Sequence, residues 1–373
     1  MNRAPTKPVA ITFETGPATK APDFSSPQRP DPAHRCMRWT WLGALALAAQ
    51  CALAGTAHAG ALRKTLRRPS NAPHVKVLPW AGHKSALTLT FDDTSPSDAT
   101  EALPIVDEEG VKATFFVTTA NDFSPGFDEA WARAEREGHE LGNHTVNHCH
   151  SAELGKHQCL SAAEELEQCN RYIESRLGAR DVYTFAYPYV DTGTAYKTAA
   201  SSRFLLARAG KGGLVGATAR PDWYAMDARF IDPVRGETAK DWTKWIDESA
   251  SKSKWLVLVF HSILPENWYA GIAKTDLEKI ITHAKAEPDL WIDTFVDVGA
   301  YLRAQRMFEA VSPVPDGKGL IWRWVLPAHF PPGKTLRVHI DRGTLLQGGV
   351  ALKADEHDTY AVALDARSLT WAP

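Results

Sequence analysis

Two adjacent carboxylates, Asp92 and Asp93, end a short apolar and β-branched run that begins at Leu87. Leu and Thr suit a buried strand, whereas an ionised Asp is costly to bury without a cation, hydrogen bonds or water. Because side chains alternate along a strand, neighbouring Asp residues point in different directions and can divide two tasks, metal binding and proton transfer. The alternative is an Asx turn that caps the next helix.

A second group of residues that could carry out chemistry is the histidine pair His144 and His148. The spacing of four residues places both side chains on one face of a helical turn, and neutral imidazoles suit Zn²⁺ and similar ions. Two histidines and one carboxylate form a ligand set that leaves positions open for water and substrate. The chain has 14 His, so the same spacing also arises by chance, and a pair without a metal remains an alternative.

Two further groups follow predicted strands. The segment Thr184–Tyr189 runs into a turn stiffened by Pro188, and such a turn can aim a backbone N–H at an oxyanion. His261 ends the apolar run Trp255–Phe260, where an imidazole that titrates near neutrality suits a general acid. A structural turn and a packed histidine at the edge of the core are the alternatives.

The elements that must position these residues alternate between apolar runs and amphipathic segments from Ser85 onward. This pattern predicts an α/β fold with parallel strands, and about seven repeats favour a distorted or incomplete (β/α) barrel over residues 85–308. The strand ends that carry the polar groups would then open on one face. The predicted strands are Ala86–Phe91, Ala113–Val117, Glu140–Asn143, Tyr183–Tyr187, Phe204–Ala207, Trp255–Phe260 and Leu290–Asp293. The predicted helices are Ser97–Glu108, Glu129–Glu137, Ser161–Arg176, Thr192–Ala200, Thr238–Ser253, Asp276–Ala286 and Val296–Gln305.

Composition divides the rest of the chain into segments. Residues 1–36 have the composition of a disordered segment or of a mis-assigned start, residues 37–59 resemble a signal peptide cleaved after Ala59, and residues 60–84 are a lead-in. Residues 309–319 form a turn-rich linker, and residues 320–373 are expected to form a small β-rich accessory unit. The signal predicts an exported protein, periplasmic or secreted, with membrane contact only if Cys51 is lipidated.

Charge and cysteine content add two expectations. A net charge of -2 does not indicate the basic surface that nucleic-acid binding requires. Nothing in the sequence indicates a stable protein partner. Export permits a disulfide, and we predict Cys149–Cys159 with Cys169 as a buried thiol. Cys169 lies well inside the helix that begins at Ser161, so it is too far along that helix to reach Cys159.

The motifs Thr-Phe-Asp-Asp, His-Thr-x-x-His, x-Pro-Tyr and Leu-x-x-His, in this order, resemble the NodB-like polysaccharide deacetylases (carbohydrate esterase family 4) from about Ala86 to Tyr301. The resemblance implies that Asp93, His144 and His148 bind a divalent metal, most commonly Zn²⁺, with Co²⁺ or another divalent ion as alternatives.

The resemblance also implies roles for the other residues. Asp92 would be the base for water on the metal as it attacks the acetamide, and His261 would be the acid that protonates the leaving amine. The Tyr189 N–H would stabilise the oxyanion, while Leu258 and Trp223 would line a pocket for the acetyl methyl.

Two departures from the family pattern bear on these roles. Ala186 stands where numerous members carry an Arg that orients the base, and we expect Arg208 to replace it. The Asp that tunes the catalytic histidine in the family is not clearly placed, with Asp227 and Asp232 as equal candidates.

Together these roles imply an exported, metal-dependent hydrolase of carbon–nitrogen bonds other than peptide bonds. It would remove N-acetyl groups from a GlcNAc-containing glycan such as a chitin oligomer, peptidoglycan or an exopolysaccharide. The alternatives are an O-acetyl (xylan) esterase of the same family, a catalytically weak carbohydrate-binding protein on the same scaffold, and a hydrolase of small amides or imides.

Overall fold

A computed structural model describes residues 72–120, 124–266 and 268–373 of the chain, and these residues fall in one compact unit. The predicted start segment, the signal peptide, Cys51 and the first part of the lead-in lie outside the described residues. Within the described residues, no helix combines the length and apolar character that crossing a membrane requires.

A curled, mainly parallel sheet of nine strands forms the central layer. Strand β1 (Val75–Val77) precedes it and belongs to another sheet. The nine strands are β2 (Ser85–Asp92), β3 (Thr114–Val117), β4 (Glu140–Asn143), β5 (Thr184–Ala186), β6 (Leu206–Arg208), β7 (Val215–Gly216), β8 (Arg229–Phe230), β9 (Lys254–Phe260) and β10 (Leu290–Ile292). The buried strand β2 is central, since it pairs with β9 along most of its length, with β10 at its start and with β3 at its end.

Helices follow most strands and cover the sheet, which agrees with the predicted alternation. They are α1 (Leu103–Glu108), α2 (Asp128–Arg136), α3 (Ala162–Arg176), α4 (Thr194–Ser201), α5 (Ala239–Ser251), α6 (Lys274–Ala286) and α7 (Phe295–Glu309). The barrel is closed weakly between β6 and β9. In the part of the chain that the structure describes, the bridge from Arg208 to Met226, the two-residue strand β8 and a few backbone hydrogen bonds span this side, so the predicted distorted barrel is confirmed.

The seven predicted strands of the barrel all correspond to observed strands, with ends shifted by one or two residues. The start of β6 is the largest difference. The N–H of Phe204 still donates to the carbonyl of Ala200, so the end of α4 holds this residue outside the strand. Strands β7 and β8 escaped prediction because two residues carry no recognisable periodicity.

The C-terminal residues form two further sheets. The strands are β11 (Val314–Asp316), β12 (Gly319–Arg323), β13 (Thr335–Ile340), β14 (Thr344–Gln347), β15 (Val350–Ala351), β16 (Thr359–Ala363) and β17 (Ser368–Ala372). One sheet has the order β1-β13-β16 and the other β11-β12-β17-β14-β15. The predicted linker at 309–319 thus includes the strand β11, and the lead-in contributes β1.

Helix α7 connects the barrel to these sheets and is buried on most of its surface. Its Phe295 and Val298 pack into the barrel, while Ala304 and Phe308 join a core with the tryptophans of the C-terminal sheets. A helix that buries residues on more than one face requires cover on more than one face. The β-rich residues therefore supply the outer cover of α7.

Candidate active site

A cavity of about 860 Å³ lies at the carboxyl ends of β2, β4 and β9. Parallel strands bring their carboxyl ends to one face of a barrel, where functional groups commonly collect. The lining includes the polar residues that the motifs predict, namely Asp92, Asp93, His144, His148, Tyr189 and His261. Its volume lies in the usual range for small-molecule sites.

Asp93, His144 and His148 form a tight triangle of ligand atoms. Oδ1 of Asp93 lies 3.5 Å from Nε2 of His144 and 3.3 Å from Nε2 of His148, and the two Nε2 atoms are 3.1 Å apart. A tetrahedral ion with bonds of about 2.0–2.1 Å spaces its ligands roughly 3.4 Å apart. The three side chains therefore fit a Zn²⁺-like cation without rearrangement.

The hydrogen bond of His144 supports the same interpretation. Its Nδ1 lies 2.8 Å from the carbonyl oxygen of Ala186, and a carbonyl can only accept. The proton is thus assigned to Nδ1, so the neutral form of His144 has a lone pair at Nε2 for a cation. Such a partner for the second ring nitrogen is typical of metal-binding histidines. Without a cation, burial alone would lower the pKa of His144, but the charge of Asp92 and the hydrogen bond to Asp93 outweigh burial and raise it, so Nε2 can also carry a proton and donate to Asp93.

Burial and mutual charge set the protonation of the triangle. Burial alone would raise the pKa of Asp93, but the hydrogen bond and charge of His144 and the charge of His148 hold it well below its usual range. Burial and the charge of His144 lower the pKa of His148 to about 4. Near neutral pH, Asp93 is therefore ionised and His148 neutral, which are the forms that bind a cation.

The turn that carries the two histidines is not helical, so the helical geometry inferred from the spacing is wrong. Thr145 and His148 have left-handed backbone angles, with φ of 72° and 49°. The side chains still converge because hydrogen bonds hold the turn, including one from the N–H of His148 to Oγ1 of Thr145 at 2.9 Å.

The carboxylate of Glu165, in the first turn of α3, holds most of this turn in place. It accepts hydrogen bonds from the backbone N–H groups of Val146 and Asn147, from the Asn147 side chain and from the N–H of Leu160, all between 2.8 and 3.0 Å. Glu165 is fully buried. Sequence reasoning missed it, although an acidic residue beside a capping box and facing the core was an available signal.

A disulfide joins Cys149, directly after His148, to Cys159, as predicted. Cys169 is buried and free, also as predicted. The disulfide closes the loop that continues from the histidine turn, and thereby limits the positions that His148 can adopt.

Asp92 pairs with Arg208, the residue expected to replace the family Arg. Nη2 of Arg208 lies 2.5 Å from Oδ2 of Asp92, and both side chains are almost completely buried. In the sheet, Arg208 is the register partner of Ala186, so the guanidinium comes from the neighbouring strand at the same level. The other carboxylate oxygen, Oδ1 of Asp92, is buried and has no hydrogen-bond partner among the described residues.

His261 lies across the cavity between two aromatic rings. Its ring stacks with Phe230 at 5.8 Å and meets the edge of Tyr269 at 4.6 Å. Burial lowers the pKa of His261 despite the nearby charges of Asp92 and Asp93, which act in the opposite direction. Its imidazole is therefore mainly neutral near pH 7.

Neither Asp candidate for tuning His261 reaches it. Nδ1 of His261 is buried without a partner among the described residues. Asp232 instead caps the N–H of Val234 and pairs with Arg235. Asp227 lies beside Gly213, where its carboxylate fills the space that a Cβ would occupy.

Tyr189 occupies the tip of the turn after β5. It adopts a left-handed conformation with φ of 54°, and no described residue accepts a hydrogen bond from its N–H. Its exposed ring stacks on His150 at 3.8 Å and meets the edge of His148 at 4.5 Å. The ring of Tyr189 thus lies beside the histidine turn.

The structure does not bring Leu258 or Trp223 to the cavity, so placing them around an acetyl group is wrong. Side chains alternate along β9, and Leu258 points into the core layer that contains Leu256 and Phe260. Trp223 lies against Arg303 and lines a different cavity. Besides Tyr189, the exposed aromatic residues Trp268 and Tyr269 line the active-site cavity.

Comparison with known proteins agrees with this arrangement. Residues 81–203 match the model of a family described as Polysaccharide deacetylase. A chitin deacetylase from Pestalotiopsis sp is 30% identical over 141 residues, which cover 38% of this chain and 45% of that protein. A chitin deacetylase from Arthroderma benhamiae is 32% identical over 140 residues, which cover 36% of each chain.

Among solved structures, the family 4 carbohydrate esterase from Streptomyces lividans, in complex with acetate, is 14% identical, with a TM-score of 0.42 and coverage of 58% of this chain and 95% of that one. The chain spans less than half of the length of the two chitin deacetylases. The matched residues include the paired carboxylates and both histidines but end before His261. Residues 81–203 of this chain are therefore similar to the polysaccharide deacetylase family.

Proposed function

We propose that this protein is a metal-dependent deacetylase that removes N-acetyl groups from a GlcNAc-containing glycan. The observation that carries the proposal is the unpartnered Oδ1 of Asp92, buried beside a ready set of three metal ligands. A binding protein has no use for a buried carboxylate oxygen that is left free, because such a group costs stability. A general base requires a free oxygen at this place.

Asp93, His144 and His148 would hold the cation. When bound there, a divalent ion supplies positive charge that acidifies water and stabilises a developing oxyanion. The chain itself supplies the proton transfers. Oδ1 of Asp92 takes the proton from water while Arg208 fixes Oδ2, and the free N–H of Tyr189 donates to the oxygen of the acetyl carbonyl.

His261 would protonate the departing amine. Because burial lowers its pKa, the imidazole must first take up a proton, from solvent or from the reaction itself. Once protonated, the imidazole is stabilised by the nearby charges of Asp92 and Asp93. The exposed rings of Trp268 and Tyr269 at the cavity would contact sugar rings.

A second candidate, removal of O-acetyl groups as from xylan, is favoured by the same lowered pKa of His261. An alkoxide leaves with less help from an acid than an amine does, so a mainly neutral imidazole limits ester cleavage less. The disulfide and the predicted signal peptide support action outside the cytoplasm, on a polymer in the periplasm or medium.

Acetate release from chitin oligomers, peptidoglycan and acetylated xylan, each with and without a chelator, tests the proposal. We expect release from an N-acetylated glycan that stops with chelator and resumes when Zn²⁺ is restored. Metal binding without acetate release from any of the three would refute it and favour a carbohydrate-binding protein. His261→Ala separates the two candidates further, since it should slow amides much more than activated esters.

A further inference from the structure

A second cavity, of about 560 Å³, shares no lining residue with the active-site cavity. It lies where residues 220–223, the end of α7 and Pro327 meet. Its lining includes Arg220, Trp223, Arg303, Arg306 and Glu309, and we call it the arginine cleft. Trp223 was predicted to contact substrate at the active site, but it lines this second cavity instead.

The arginine cleft carries an excess of positive charge. Arg306 pairs with Glu309 at 2.5 Å, and the other oxygen of this carboxylate accepts a hydrogen bond from Gln305 at 2.9 Å. Among the described residues, Arg220 and Arg303 pair with no carboxylate within 4.0 Å. Two guanidinium groups in one cavity therefore lack compensation, and an anionic occupant would supply it.

The donors of the cleft are also partly fixed in place. The guanidinium of Arg303 lies 5.4 Å from the ring centre of Trp223 and 5.8 Å from that of Tyr224, and it donates to the carbonyl of Leu205. Nε of Arg306 is buried without an acceptor. A buried N–H without a partner destabilises a fold, so this group adds to the unsatisfied donors around the cleft.

We propose that the arginine cleft binds a saccharide that carries carboxylate groups. Guanidinium groups match carboxylates in a bidentate manner, and Trp223, Met307 and Pro327 add the apolar surface that a sugar ring covers. A lone inorganic anion would fill a small part of 560 Å³, since a water molecule accounts for only about 30 Å³. Volume and apolar lining together favour a saccharide over a free ion.

The cleft is connected to the active-site wall through its own backbone. The carbonyl of Tyr224, next to Trp223, accepts a hydrogen bond at 2.8 Å from the hydroxyl of Tyr187, which lines the active-site cavity. An acidic chain held in the cleft would thus contact the segment that supports this wall. The inference goes beyond the proposed deacetylase activity and does not depend on it.

Calorimetric titration of the full chain with trigalacturonic acid tests the inference. Arg220→Glu is the informative variant because Arg220 is exposed and makes no ion pair or side-chain hydrogen bond among the described residues. We expect this variant to weaken binding roughly tenfold or more, because it reverses one of the uncompensated charges. Arg180→Glu makes the same charge change at an exposed position outside the cleft and should bind as the wild type does.

If Arg220→Glu and the wild type bind trigalacturonic acid with equal affinity, the arginine cleft is not the binding site. Two further ligands test its chemistry. Neutral maltotriose, which carries neither amine nor acetyl groups, should bind roughly tenfold more weakly than trigalacturonic acid, and equal binding would overturn the role of charge. Inorganic phosphate should also bind more weakly than trigalacturonic acid. Equal binding would identify a simple anion site and refute the proposal that the cleft binds a saccharide.

Discussion

Replacing Arg208 with methionine removes the guanidinium that contacts Asp92 and keeps an apolar side chain in its place. The native guanidinium lies 5.1 Å from the ring centre of Phe116 and 5.7 Å from that of Phe230, so methionine retains much of this packing. Breaking a buried ion pair from one side costs about 3–5 kcal/mol, and it leaves the Asp92 carboxylate without the donor that fixes its Oδ2 atom.

An Asp92 carboxylate that Arg208 no longer holds in position is a less effective base for the attacking water. General acid–base catalysis contributes roughly 10²- to 10⁴-fold, so we expect kcat for acetate release to fall by about 10²-fold or more. Metal content, measured by mass spectrometry, should stay at the wild-type level because Arg208 contacts none of the three metal ligands. Arg133→Met, which breaks a partly exposed pair with Asp107, is the control and should leave kcat unchanged.

The register of β5 and β6 permits a rescue. Ala186 and Arg208 are directly paired, and both side chains are buried. The double variant Ala186→Arg/Arg208→Met moves the guanidinium to the position of the family Arg and should recover roughly tenfold of the lost turnover. Near-normal kcat in Arg208→Met with full metal content would refute the role of Arg208, and also the proposal that Asp92 is the base it orients.

Three other predictions concern the supports of the site and the fold. Glu165→Gln keeps one acceptor oxygen but places an amide N–H₂ against two of the four donors, so it should lower the free energy of unfolding by about 2–4 kcal/mol and weaken Zn²⁺ binding roughly tenfold or more. Glu164→Gln, an exposed neighbour, is the matched control in calorimetry and Zn²⁺ titration, and equal effects of the two would contradict the anchoring role. Replacing Cys149 and Cys159 together by serine should cost roughly 2–3 kcal/mol for a ten-residue loop, measured by denaturant unfolding, and unchanged stability would count against it. Burial raises the pKa of Glu140 from 4.5 to about 7, so between these values the folded chain holds a proton that the unfolded chain has lost. Stability should therefore fall by about 3 kcal/mol as pH rises through this window, and this fall should be absent in Glu140→Gln. A persistent slope in that variant would assign the titration to another group.

The pattern of the sequence determined the barrel and the face on which its polar groups meet. Apolar runs alternating with amphipathic segments predict parallel strands, and parallel strands place Asp93, His144 and His261 at a common end. The Cys149–Cys159 disulfide followed from similar local arguments, since the helix around Cys169 limits its reach. These inferences needed only periodicity and spacing, which are local properties.

Tertiary structure decided how these residues are held. Asp92 and Arg208 are 116 residues apart, and their contact depends on the register between β5 and β6, which no local pattern specifies. The non-helical turn of His148 depends on Glu165, whose carboxylate arrives from α3.

The two substrate residues that were wrongly placed have the same explanation. Leu258 and Trp223 occupy suitable positions along the chain, but strand alternation turns the first into the core and loop packing takes the second to the arginine cleft. Sequence spacing was therefore enough to identify the chemical groups, whereas the orientation of their side chains depends on long-range packing. The physical reason is that side-chain direction and strand register are set by contacts between distant segments.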